Sequence, residues 1–163
     1  MTDLPLSDVP RLIAAANAAR EHATHAAVPS DAERQLEARF RVSRALAVYG
    51  TLAPGRSNHH VVAPLGGEWT PGVVEGDLAP SGWGAVLGYP ALHPRAGGPV
   101  VAVQVLRSAA LPDAWPRVDA FEGPEYRRIL VPVWSTGAAD GRRLLTVANL
   151  YAAVAHASSE PAR

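Results

Sequence analysis

From Leu46 onward the chain is written in short apolar bursts, and no other feature restricts its fold so strongly. "LAVY", "WTPGVVEGDL", "GPVVAVQVL", "YRRILVPVW" and "LLTVANLYAAV" are β-branched or alternating runs separated by glycine and proline. One helical passage interrupts them. In "SAALPDAWPRVDAFEG", Leu111, Trp115 and Val118 recur at helical spacing before Gly123. These runs predict an α+β domain, with five or more strands in a mixed sheet or small β-barrel and one helix crossing between the third and the fourth. Between Pro80 and Pro99 the sequence is too rich in glycine and proline for regular structure and reads as a long ordered loop. Its Trp83 and Tyr89, with Tyr151 further on, are either pocket lining or core. Core is the commoner place for an aromatic in an apolar run.

The residues before Leu46 read as helical. Asp8 and Pro10 suit a helix start, and "RLIAAANAAREHATHAA" meets no breaker until Pro29. Ser30 opens a second helix, with Glu33 three residues on in the capping-box relation. Leu36 and Phe40 form one narrow apolar stripe on a segment otherwise mostly charged. That stripe faces the body of the domain, a partner subunit or a neighbour's groove, and a homodimer through the N-terminal helices is the expectation it supports. The division expected is a helical extension over 1–44, a main domain over 45–157 and a disordered tail over 158–163.

Composition removes several chemistries. At 163 residues the chain is one domain with an appendage, large enough to bury a core without disulfides or a structural metal. Cysteine is absent, which excludes thiol catalysis and thiolate metal sites, and there is no lysine for a Schiff base. Fifteen basic residues balance fifteen acidic ones, so the electrostatic footprint of a nucleic-acid or acidic-membrane binder is missing. "MTDLPLSDVP" is acidic and broken by proline, unlike a secretory signal, and no apolar run spans a bilayer. The expected compartment is the cytoplasm.

Among candidate motifs, "GTLAPGRS" has the spacing of a phosphate-binding loop, but Arg56 stands where lysine belongs and "NHHVVAP" follows instead of a helix. Adjacent His59 and His60 point to opposite faces if extended, and His22 and His25 share a helical face without a recognisable third ligand, so no metal site is expected. No Gly-x-Ser-x-Gly elbow is present. The acidic stretch "VDAFEGPEYRR" carries more. Asp119 and Glu122 lie three apart near a helix end, and Glu122 directly precedes Gly123-Pro124, a strong stop. The negative end of the helix dipole, burial and Asp119 would each raise the pKa of Glu122 and make it a proton carrier. The alternative is a hydrated helix end whose carboxylates pair with Arg127 or Arg128.

Together, Tyr49-Gly50-Thr51-Leu52, the later Val118-Asp119-Ala120-Phe121-Glu122-Gly123 and then Tyr126-Arg127-Arg128 resemble the γ-glutamylcyclotransferase-like, or AIG2-like, superfamily. "GRSNHH" is similar to the Gly-x-x-Asn-His that follows the loop in many members. The likeness runs from Leu46 to about Tyr151 and leaves the N-terminal helices outside. It implies a small mixed β-barrel with one or two flanking helices. Glu122 would be the proton shuttle, and Tyr49, Gly50, Thr51, Leu52 and Tyr126 would bind a small γ-glutamyl substrate. The activity implied is cyclisation of a γ-glutamyl amine to 5-oxoproline, with no metal or cofactor. The alternative is a non-catalytic small-molecule-binding or interaction protein on the same fold. Two departures stand out: Arg56 follows the loop glycine and is expected to face water, and Pro124-Glu125 shorten the link to Tyr126.

Overall fold

The computed structural model describes residues 3–22, 28–79, 91–137 and 141–154. Two helices, α1 (Val9–Glu21) and α2 (Asp31–Phe40), precede strands β1 (Ala45–Val48), β2 (Glu68–Ala79), β3 (Ala91–Pro94) and β4 (Val100–Arg107). Helix α3 (Leu111–Glu122) then leads into β5 (Tyr126–Trp134) and β6 (Leu144–Ala153). The sheet order is β3-β2-β4-β1-β6-β5, and a further pairing of β2 with β5 at Val73–Trp134 closes five strands into a ring, with β3 left outside. Among the described strands only β1 and β6 pair in parallel, at Leu46–Asn149. The expected mixed barrel, with its helix between β4 and β5, is the architecture found.

A five-stranded ring is narrow, and its inward positions are filled accordingly. Ala45, Ala47, Val74, Val101, Val103, Val105, Val131, Val133, Ala148 and Ala152 dominate the cluster inside, with few larger side chains. Leu46, Val48 and Leu106, on the outward face, join Leu111, Trp115 and Val118 of α3 in a second core. Val9, Leu12, Ile13 and Ala16 of α1, with Leu36 of α2, meet Leu130 and Val147 of the barrel in a third. β1 is buried on both faces, which is why "LAVY" is apolar throughout instead of alternating.

Closure depends on Gly72. A Cβ there would lie 2.6 Å from Val133 Cγ1 and 3.2 Å from the Trp134 carbonyl oxygen. At the helix ends the local rules hold. The Ser30 hydroxyl accepts from the Glu33 N–H at 3.2 Å as the α2 cap. Gly123 stops α3 with φ of 80°, its N–H reaching the Asp119 carbonyl.

Two expectations change, and one choice left open is settled. Residues Ala91–Pro94, placed in the long loop, form β3. Tertiary pairing with Gly76 to Ala79 holds them, and Gly76 brings its backbone so close that a Cβ would lie 2.6 Å from the His93 carbonyl oxygen. Helix α1 ends at Glu21, short of the expected run to Pro29; residues 23–27, His25 included, lie outside the described residues. The Leu36–Phe40 stripe is used within the protomer: Leu36 is fully buried and Phe40 packs on the same cluster. Of the three covers expected for the stripe, the body of the domain is the one found. Residues 80–90, with Trp83 and Tyr89, and the expected tail over 158–163 also fall outside the described residues.

The close approach at Gly72 gives a direct prediction. Gly72→Ala is expected to lower unfolding stability by about 1–3 kcal/mol, because the added methyl must displace Val133 or open the β2–β5 pairing. Urea denaturation would measure the loss.

Candidate active site

Strand β1 delivers Tyr49 to the rim of the barrel, where the chain leaves the sheet and turns. The Tyr49 hydroxyl donates to the Tyr151 carbonyl oxygen at 2.8 Å and accepts from the Leu92 N–H at 3.2 Å, so this phenol joins β1, β6 and β3. Burial pushes its pKa well above the ordinary tyrosine value. Residues 50–58 then form a compact turn. Asn58 holds it through N–H to Thr51 O and Nδ2 to Thr51 Oγ1, both at 2.9 Å. His59 Nδ1 donates to Leu52 O at 2.9 Å, and the His59 ring lies 5.4 Å from that of Trp69. Carbonyls and hydroxyl are thus engaged from behind, whereas the N–H groups of Thr51 and Leu52 have no acceptor among the described residues. Among the described residues a Cβ on Gly50 would meet nothing within 4 Å.

No helix begins at Arg56 or Ser57; a three-residue 3₁₀ turn at His59–Val61 follows instead. That removes the phosphate-loop alternative, which requires a helix N-terminus directly behind the glycine. Arg56 is exposed, as expected. Among the described residues no cluster of histidine and carboxylate could hold a metal ion.

The two carboxylates of α3, three residues apart, have opposite surroundings. Asp119 is fully engaged. Arg128 donates to it from Nε at 2.9 Å and Nη2 at 3.3 Å, and the Tyr151 hydroxyl donates at 2.6 Å. Glu122 is partly buried and has no ion-pair partner among the described residues. Its pKa is raised from 4.5 to about 7, and loss of hydration is the cause. Of the causes expected from sequence, burial therefore acts, while Asp119 is neutralised by Arg128. Three phenols sense the Glu122 charge: Tyr49 from the end of β1, Tyr126 from β5 and Tyr151 from β6. Each has its own pKa raised, mainly by burial, and is neutral at physiological pH. The carboxyl thus sits among uncharged, partly apolar groups, the surroundings that favour its protonated form.

The fold brings Tyr49 and Tyr126 within electrostatic reach of Glu122, and the Gly50–Leu52 turn directly follows Tyr49 in the chain. Tyr151, which the sequence left open between pocket and core, is buried beside Asp119. Two polar residues behind the site were missed. Asn149 is 1% exposed in the middle of β6, and Arg20 reaches it from α1 at 2.8 Å. An asparagine inside "LLTVANLYAAV" was the available signal, because a polar side chain is tolerated there only with partners.

Glu122 is protonated in folded and unfolded chains alike below about pH 4.5, where the fold is not penalised. As pH rises toward 7 the unfolded carboxyl ionises first, so the folded state loses relative stability, by at most about 3 kcal/mol. Glu122→Gln does not titrate. Its stability advantage over wild type should grow between pH 4.5 and 7 and then level off, as read from denaturation midpoints across that range.

Residues 46–162 match the family model described as gamma-glutamyl cyclotransferase, AIG2-like. No curated protein matches the chain. Among solved structures, an AIG2-like protein from Mus musculus is similar at 21% identity, over 71% of this chain and 80% of that one, with a TM-score of 0.50. An uncharacterized protein from Pyrococcus horikoshii aligns at 20% identity over 67% of this chain and 76% of its own, with a TM-score of 0.47. The likeness to the mouse protein is one of fold.

Proposed function

This chain belongs to the gamma-glutamyl cyclotransferase, AIG2-like family, and from that premise we propose that it cyclises a γ-glutamyl amine to 5-oxoproline and releases the free amine. The observation that carries the reading is the partly buried Glu122 carboxyl, which has no ion-pair partner among the described residues, whose burial pushes its pKa up to about 7 and whose charge Tyr49 and Tyr126 feel.

The reaction is already intramolecular: the substrate's α-amine attacks its own γ-carbonyl and closes a five-membered lactam. The protein's main task is to hold the folded conformer in which those atoms meet. The amine arrives as an ammonium and passes a proton to ionised Glu122. The new C–N bond forms, negative charge develops on the γ-oxygen, and the amide C–N bond then breaks as Glu122 returns a proton to the departing amine. A group that titrates near 7 is present in both forms at neutral pH and serves either transfer. The N–H groups of Thr51 and Leu52, lacking other acceptors among the described residues, are suited to the developing oxyanion.

Gly50 fits the same reading. Among the described residues nothing crowds its open side, so packing by those residues does not demand glycine there. A ligand lying against the backbone would. Tyr126, whose phenol feels the Glu122 charge, would face the substrate across the carboxyl. Glu122 carries one proton from the ammonium to the departing amine. The attacking nitrogen loses its second proton to solvent as the tetrahedral adduct collapses, the released amine takes one up from solvent, and the scheme asks for no cofactor.

The test is a small panel of γ-glutamyl amines with 5-oxoproline release as the readout. Glu122→Gln should lower kcat by about 10²–10⁴-fold with its fold intact. Equal release by both proteins would remove Glu122 from the chemistry, and no release from any member would favour a binding protein on this fold. Gly50→Ala should leave the denaturation midpoint nearly unchanged and raise KM for whichever substrate is turned over.

A further inference from the structure

Behind the candidate site runs a line of charged and polar side chains that begins in the N-terminal helices, outside the family match. Arg20 of α1 is largely buried and forks onto Glu33 of α2, from Nε at 3.1 Å and Nη2 at 2.6 Å. Its remaining nitrogen, Nη1, donates to Asn149 Oδ1 at 2.8 Å and to the Arg128 carbonyl oxygen at 3.2 Å. Asn149 Nδ2 is committed to the Val42 and Ala45 carbonyls, at 2.7 and 3.4 Å, so its oxygen has to face the arginines. Arg128 donates to that same oxygen from Nη1 at 3.3 Å. Two guanidiniums therefore converge on one neutral acceptor, each balanced by its own carboxylate, Glu33 or Asp119.

Arg128 in turn grips α3 at two points. Nε and Nη2 hold Asp119, and the guanidinium carbon lies 4.4 Å from the centre of the Trp115 ring. Trp115 and Asp119 are one turn apart, and Glu122 follows within the next turn. The helix needs such a hold. Pro116 lies inside it and contributes no N–H to its ladder.

We propose that Arg20 is a positioning residue for the Glu122 end of α3, acting through Arg128 and Asp119. It fixes the backbone from which Arg128 emerges and, through Asn149, the direction in which that guanidinium points. The N-terminal helices are on this account part of the site's support as well as a cover for the barrel. In its kinetic consequences the inference rests on the cyclotransferase reading above.

Asn17 supplies a control in the same helix. Its Oδ1 accepts from the Leu130 N–H at 2.8 Å and its Nδ2 donates to Leu130 O at 2.9 Å, so it ties α1 to β5 without touching the Arg128 chain. The experiment compares full-length wild type, Arg20→Gln and Asn17→Ala. One readout is the Glu122 side-chain carboxyl carbon followed by NMR across pH, which needs no substrate. The other is kcat and KM on a turned-over γ-glutamyl amine.

Arg20→Gln should move the Glu122 midpoint by about half a pH unit or more toward an ordinary carboxyl, as a loosened helix end hydrates. It should also lower kcat about tenfold with little change in KM. Asn17→Ala should move neither, although it too lowers the denaturation midpoint. Should Arg20→Gln fail to fold, Arg20→Lys keeps the charge opposite Glu33 but not the fork, and a displaced Glu122 midpoint is again expected. Equal midpoints in wild type and the Arg20 variants, or equal displacement by Asn17→Ala, overturns the proposal. If wild type turns over no γ-glutamyl amine, the cyclotransferase reading fails while the titration still decides the role of Arg20.

Discussion

The narrowness of the barrel governs the rest of the molecule. Five strands close into a ring only because β2 and β5 approach at Gly72, where the opposing Val133 methyl occupies the space a Cβ would take. So small a ring accepts mostly alanine and valine inside. The larger side chains are consequently sent outward and must be covered. Helix α3 and the 50–65 segment cover one part of the outer wall, and α1 with α2 covers another. What reads as decoration around a barrel is thus demanded by its size, and the candidate site lies where the α3 cover meets the barrel rim.

On α3, two carboxylates three residues apart show how burial and pairing divide labour. Asp119 receives a guanidinium and a phenol, and its charge is balanced. Among the described residues Glu122 receives neither, and loss of hydration is what raises its proton affinity. The same helix end therefore provides a fixed anchor and a titrating group. In the reaction proposed for this chain, both are needed: one to hold the helix, the other to trade protons. The anchor itself is backed by Arg128, Asn149 and Arg20, which links the extension to the rim through hydrogen bonds rather than through apolar packing alone.

Much of this was legible along the chain. Every strand expected from the β-branched runs is present, with β5 matching "YRRILVPVW" end to end, because period, turn residues and length are local properties. The Ser30 cap and the Gly123 stop were legible for the same reason. β3 was not. "ALHP" has no strand signature of its own and is held by what β2 and Tyr49 offer it. Nor did the Leu36–Phe40 stripe reveal its partner, since an apolar stripe records that something covers it and not whether the cover belongs to the same chain. The pairing of Asp119 with Arg128 was one of two readings left open, and the structure applies it to Asp119 while leaving Glu122 apart.

The sequence by itself determined the order and type of most elements, the Ser30 start and the Gly123 stop, the family and the residues that form its motifs, because these depend on short-range spacing and residue type. Only the tertiary structure decided that Glu122 is desolvated, that Asp119 is neutralised nearby, and that Arg20 from a distant helix shares Asn149 with Arg128. Hydration and hydrogen-bond partners are properties of the space around a side chain. In this protein that space is built from segments more than a hundred residues apart in the chain, as Arg20 and Asn149 are.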